Sequence, residues 1–322
     1  MTNPMNLRCA FRLGVVLLTS LSLGVQAQSA GKKLLGIVSI APAEANNVRF
    51  IDGAKAAAAA KGWDVTVIDA HGSADEANSA VQNLVQRKAA AIVDMVFPVS
   101  SLGAGLSAAT AAKIPVGTWG GGLGGGVVVT NGSGGPLADQ VVRRMVADMN
   151  GKGSILALTY RTGQVCRERE QVLDKLLSKY PGIKVTKNEV RIPGYLQDGA
   201  QFAGAWLASH PAGKERLAVW GCWDDPAVGA ISTLRQQNRK DVKVYGQNGN
   251  ADALTNIQSG WMTATAYQNS TAEGTDMVRQ LDNAMKAGSA WTPKAAEVPA
   301  ILVTAKTLPA FLKANPDALG KK

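Results

Sequence analysis

Only two histidines, His71 and His210, are available for acid–base or metal chemistry. Neither has a partner at an HxxxH-like spacing. His71 falls in a turn with Gly72 and Ser73, and His210 precedes Pro211 at a helix end, so both are expected to face solvent. The sequence has no GxSxG nucleophile elbow and no GxxxxGK[ST] phosphate loop. The glycine run 120–126 contains GxGxxG-like spacing, but Val127-Val128-Val129-Thr130 follows it and reads as a strand. The helix N-terminus that would hold a phosphate is therefore missing, and a flexible loop beside a cleft is expected instead. Cys166 opens a helix just after one strand and Cys222 follows another, both at the carboxyl edge of the same sheet. Their approach is possible, there is no CxxC redox motif, and the sequence leaves open whether they pair.

The aromatic residues tell more. Trp119, Trp223 and Tyr195 each lie at or just beyond a strand end. There a ring can stack on the apolar face of a small solute while neighbouring polar groups bind its hydroxyls. Trp63, Trp206, Trp220 and Trp261 lie within or against elements and read as packing residues.

The elements that must position these groups alternate. Residues 34–40 form a continuous apolar run, as a strand covered on both faces requires. Helix 48–61, strand 65–69, helix 74–87, strand 90–95, helix 101–112 and strand 115–118 follow. That order predicts a parallel sheet with right-handed crossovers. After the glycine run a second series starts, with helices over 136–150, 166–180, 197–209, 226–237 and 251–258. Strands over 154–159, 183–190, 216–220, 242–245 and 262–267 alternate with them, and helix 271–287 and strand 300–304 close the chain. Two such series predict an α/β protein of two Rossmann-like lobes with a cleft between them. Ligands bind outside the carboxyl ends of such strands.

Composition narrows the class. The 322 residues are 46% hydrophobic and 18% charged, a globular balance that excludes collagen, coiled coil and disorder. The net charge of +10 is spread without a basic run, and only five Phe and five Tyr could stack on bases, so no nucleic-acid partner is expected. Arg8 and Arg12 precede an apolar run over 13–25 that ends in Val25-Gln26-Ala27. This is the layout of a secretory signal, with cleavage expected after Ala27 or, second, after Ala30. Cys9 lies before the apolar run, badly placed for lipid attachment.

The chain resembles the ribose-binding-type periplasmic solute-binding proteins of ABC transporters over roughly 33–304. The likeness is carried by Phe50-Ile51-Asp52-Gly53-Ala54-Lys55, Ala90-Ala91-Ile92-Val93, Lys113-Ile114-Pro115-Val116, Cys166-Arg167-Glu168-Arg169, the stretch Asp224-Asp225-Pro226-Ala227-Val228-Gly229-Ala230 and Gly260-Trp261-Met262-Thr263-Ala264-Thr265. The resemblance implies a type I periplasmic-binding-protein fold with a three-segment hinge. One lobe would take 31–130 plus 269–298 and the other 131–268 plus 299–309, with 310–322 as a tail.

It also implies site residues. Arg169 falls where the family uses an arginine to bind ring and hydroxyl oxygens, Asp224 where it uses an acid, and Gln268 at the last hinge crossing. Departures occur at Asn248, usually aspartate, at Trp223, usually asparagine, at Gly120, often aspartate, and at Asn46 and Asn47, often stacking aromatics. The candidate set is Glu44, Asn46, Asn47, Trp119, Arg169, Tyr195, Trp223, Asp224, Asn248 and Gln268, with Cys166 and Cys222 as a possible disulfide. No catalytic residue, metal or cofactor is expected.

The implied function is capture of a small polar solute, a sugar or polyol derivative, by a monomeric periplasmic receptor. That receptor would deliver to an inner-membrane ABC permease, or alternatively present the solute to a chemoreceptor. With two usual aspartates neutral, a small organic acid is the alternative ligand. A secreted α/β enzyme is the rival of a different class.

Overall fold

The computed structural model describes residues 31–132 and 134–320. The signal-peptide expectation over 1–27 lies outside them.

Leu34–Ser39 (β1) is apolar on both faces, and the fold covers both. Around it the chain builds α1 (Ala45–Ala60), β2 (Asp64–Asp69), α2 (Ala74–Gln86), β3 (Ala91–Met95), α3 (Gly103–Ala111), β4 (Val116–Trp119) and β5 (Val127–Asn131). The strands pair in parallel. Parallel neighbours ordinarily need a crossover of about a dozen residues. Between β4 and β5 the glycine run 120–126 suffices, because Gly120, Gly122, Gly124, Gly125 and Gly126 all take positive φ.

The second series is α4 (Gly135–Met149), β6 (Lys152–Thr159), α5 (Gln164–Leu177), β7 (Gly182–Glu189), α6 (Tyr195–Ala208), β8 (Leu217–Gly221), α7 (Asp224–Gln236), β9 (Val242–Asn248), α8 (Ala251–Gln258) and β10 (Ala264–Tyr267). Then come α9 (Ser270–Ala287), β11 (Lys294–Ala295), β12 (Ile301–Thr304) and α10 (Leu308–Ala314). The two sheets run β11-β5-β4-β3-β1-β2 and β12-β10-β9-β8-β6-β7, the same winding used twice. This is the α/β, two-lobe architecture that the alternating pattern predicts.

Among the described residues the chain passes from one sheet to the other after β5, after β10 and between β11 and β12. Helix α9 returns to the first lobe and lies along α1. Two glycines allow the approach: a Cβ on Gly53 would overlap the Thr271 carbonyl, and one on Gly274 the Phe50 carbonyl. Thr275 Oγ1 donates to Gly53 O at 3.3 Å.

Two details differ from a purely parallel reading with a bare tail. Strand β12 pairs antiparallel with β10, since it enters from the other lobe instead of through a helical crossover. Helix α10 buries Leu308 and Phe311, and Phe311 meets Tyr267 edge-on at 4.8 Å between ring centroids.

Candidate functional site

A cavity of about 500 Å³, its open mouth included, lies between the lobes. Its walls come from strand ends. Ile40 follows β1, Val96 follows β3, Trp119 ends β4, Tyr160 follows β6, Trp223 follows β8, Asn248 ends β9 and Gln268 follows β10. The carboxyl edges of both sheets thus face one space, the position α/β sheets reserve for ligands.

Glu44, Asn46, Asn47, Trp119, Arg169, Trp223, Asn248 and Gln268 all line this space, as does Cys166. Trp119 packs against Phe50 at 4.8 Å between centroids. Trp223 enters from the other lobe, held edge-on by Tyr160 at 6.0 Å and Tyr195 at 5.5 Å. Tyr195 is therefore behind Trp223, supporting the wall without lining it.

Asp224 is also outside the lining. As the first residue of α7 its fully buried carboxylate turns away from the cavity, accepting from the Asn250 N–H at 2.8 Å and the Thr265 hydroxyl at 2.7 Å. Burial pushes its pKa up to about 7, against the pull of those two bonds. It braces the turn before α8 and strand β10 of the second lobe.

Arg169 projects from α5 and is 2% exposed. Its Nη1 donates to Cys222 O at 2.6 Å and its Nη2 to Asn248 Oδ1 at 3.0 Å, while Nε is buried without a partner among the described residues. Burial lowers its pKa to about 10, so it stays charged at neutral pH. Cys166 and Cys222 are bonded, with Cα atoms 5.3 Å apart, which anchors the carbonyl that Arg169 holds.

The amides form a second group. Asn46 Nδ2 donates to Gln268 Oε1 at 3.1 Å, and Gln268 Nε2 to Glu273 Oε2 at 2.8 Å. Trp119 Nε1 donates to that same Glu273 oxygen at 2.7 Å. Burial raises the Glu273 pKa to about 7, opposed by both donors. Glu44 caps α1, accepting from the Asn47 N–H at 2.9 Å, and also receives Asn250 Nδ2 from the opposite lobe at 3.2 Å. The same Nδ2 donates to Asp225 Oδ1 at 3.1 Å. Burial, then the nearby Glu44 and Asp224, raise the Asp225 carboxyl.

Tyr160, Glu273, Asn250 and Asp225 escaped the sequence reading. Tyr160 carried a signal, since it directly follows a strand; Glu273 and Asn250 carried none, because their partners are distant in sequence. Away from the cleft, His71 is exposed beside Glu76, and His210 stacks on Trp206 at 4.3 Å. Among the described residues no three His, Cys, Asp or Glu side chains cluster to hold a metal, and no helix is long and apolar enough to cross a membrane.

Paired lobes, a cleft and a lining of rings, amides and one buried guanidinium define a solute-binding protein. The chain belongs to the periplasmic binding protein family, whose domain model matches residues 37–289. Members of that family are binding proteins and not enzymes. The ribose import binding protein of Bacillus subtilis is 26% identical over 270 residues, covering 80% of this chain and 85% of that one. The xylitol-binding protein of Mycolicibacterium smegmatis is 32% identical over 133 residues, 40% of this chain and 37% of that protein. Among solved structures, an ABC transporter solute-binding protein from Agrobacterium vitis with bound allitol superposes with a TM-score of 0.81. It is 22% identical and covers 88% of this chain and 99% of its own.

Proposed function

We propose that this protein is the periplasmic substrate-binding component of an ABC importer, taking a small sugar or polyol. The observation that carries the reading is the convergence of Trp119 from one lobe and Trp223 from the other on a cavity edged by Arg169, Asn46, Asn248 and Gln268. Two indoles can enclose a small ring or chain, and the guanidinium and amides can bind its oxygens. Relatives named for ribose, xylitol and apiose support that ligand class. Aliphatic walls from Ile40, Val96, Val165 and Ile192 favour a solute with an apolar edge over one that carries hydroxyls all round.

The action is hinge closure. Contacts from both lobes to one solute favour the closed arrangement, which a permease then recognises. The N-terminal segment directs export, and the receptor works as a monomer.

Native mass spectrometry of the purified protein, followed by a thermal-shift panel, tests the reading. The panel holds xylitol, D-ribose, D-apiose, allitol, myo-inositol, glycerol and sugar acids. A raised melting temperature with neutral sugars or polyols, and ligand recovered unchanged, is expected. A response to sugar acids alone replaces the ligand class, and turnover of the ligand replaces the receptor by an enzyme.

A further inference from the structure

Arg49 stands outside the cavity lining, on the second turn of α1, yet it touches both walls of the cleft. Its Nη2 donates to Asn46 Oδ1 at 2.7 Å on its own helix. From the opposite lobe the same nitrogen meets Asn248 O at 2.7 Å and Asn250 Oδ1 at 3.2 Å, while Nη1 meets Gly249 O at 3.3 Å. Nη2 has two hydrogens for three oxygens, so one bond is shared. The turn after β9 is shaped for this grip: Asn248 and Gly249 both take positive φ, 104° and 67°, and offer successive carbonyls to one guanidinium. Tyr267 lies under the guanidinium, 5.2 Å from ring centroid to Cζ. A planar, permanently charged fork suits several oxygens at once, which a lysine cannot match.

We propose that Arg49 is a cross-cleft latch and a positioning residue for solute binding. It joins Asn46 of one lobe to Asn248 of the other, both of them cavity-lining, and it does so through protein atoms alone. Its contribution to closure therefore does not depend on what fills the cavity. The free receptor already populates the closed arrangement, and a solute has less of the closing equilibrium left to shift. The inference rests on the hinge-closure reading above and is tested separately from it.

Small-angle scattering of the solute-free protein is compared for wild type, R49A and R49K, with unfolding midpoints from circular dichroism as the check on folding. R49A is expected to be more expanded than wild type, and R49K to fall between. Xylitol and D-ribose then serve as probes by calorimetry and stopped flow. For whichever binds, R49A should lose about tenfold in affinity, because the closed form that holds the solute loses its latch and opens more readily. Most of that loss should appear as faster dissociation. A residue with only a structural role would lower the unfolding midpoint and leave the scattering unchanged. Superimposable scattering curves for wild type and R49A overturn the latch; should R49A not fold, R49Q and R49K decide it by the same comparison. If neither probe binds wild type while the arginine variants still open, the latch stands and the ligand class is wrong.

Discussion

Arg169 and Asp224 carry opposite charges within the second lobe, and both are buried, but their partners separate their roles. Arg169 is joined to Asn248, which lines the cavity, whereas Asp224 holds the Asn250 N–H and the Thr265 hydroxyl beneath it. Replacing Arg169 with Met keeps most of the volume and removes the charged donors. A lost charge-assisted hydrogen bond costs about 1.5–3 kcal/mol, so affinity should fall tenfold or more in calorimetry with the identified solute. Asp224→Ala should instead act on the melting temperature, since it strands two buried donors, one at the start of α8 and one on β10. Unchanged melting together with lost binding in Asp224→Ala would reverse the two assignments. The direction of Asp224 was not legible in the sequence. A carboxylate at the start of a helix can face a cleft or fold under the next turn. Thr265, 41 residues away, decides it.

At the scale of elements, the alternation of strands and helices was readable because strands buried on both faces need continuous apolar runs, such as Leu34–Ser39 and Ala91–Met95. Ends were readable where a cap or a glycine marks them. The antiparallel entry of β12 and the packing of α10 were not, for they depend on a long-range crossing and on Phe311 meeting Tyr267. The same holds for Arg49, whose partners lie about 200 residues away. The Cys166–Cys222 link belongs at this scale too, since it ties the first turn of α5 to the corner between β8 and α7. With the cysteines 56 positions apart in sequence, the chain-entropy model gives a stabilisation of roughly 4 kcal/mol. The double variant Cys166→Ser/Cys222→Ser should therefore melt well below wild type. It should also bind more weakly, because Cys222 O anchors Arg169. Equal melting of the oxidised protein and the double variant would count against a structural bond.

For the whole molecule, closing the cleft brings carboxylates together. Glu44 of α1 meets Asp225 through Asn250, with Asp224 beside them, Arg49 across the cleft, and Arg169 and Tyr195 nearby. The Asp225 carboxyl is raised in this closed arrangement, by burial first and by its acidic neighbours second. Opening carries Glu44 away with the first lobe, removes one of the charges that raise the Asp225 carboxyl and lets its pKa fall, so the closed form binds more protons. Closure is then favoured on the acid side, and it weakens as pH rises from the ordinary carboxylate range towards the raised value. Solute affinity should accordingly be higher at pH 5.5 than at pH 8. Calorimetry in buffers of different ionisation enthalpy should record proton uptake on binding. Proton release, or a flat profile over that range, would contradict this account.

The return of α9 to the first lobe has a consequence for how the chain is made. Thr275 and Gly53, which meet where α9 crosses α1, are 222 residues apart. Ribosomes add about 5–20 residues each second, so α1 waits roughly 10–45 s for the helix that covers it. During that interval Phe50 can already meet Trp119, but the side of α1 around Gly53 that α9 will cover stays open. The first lobe therefore cannot be completed until α9 and β11, over 270–295, have been made. A nascent chain of this topology stays open to chaperones until α9 has emerged.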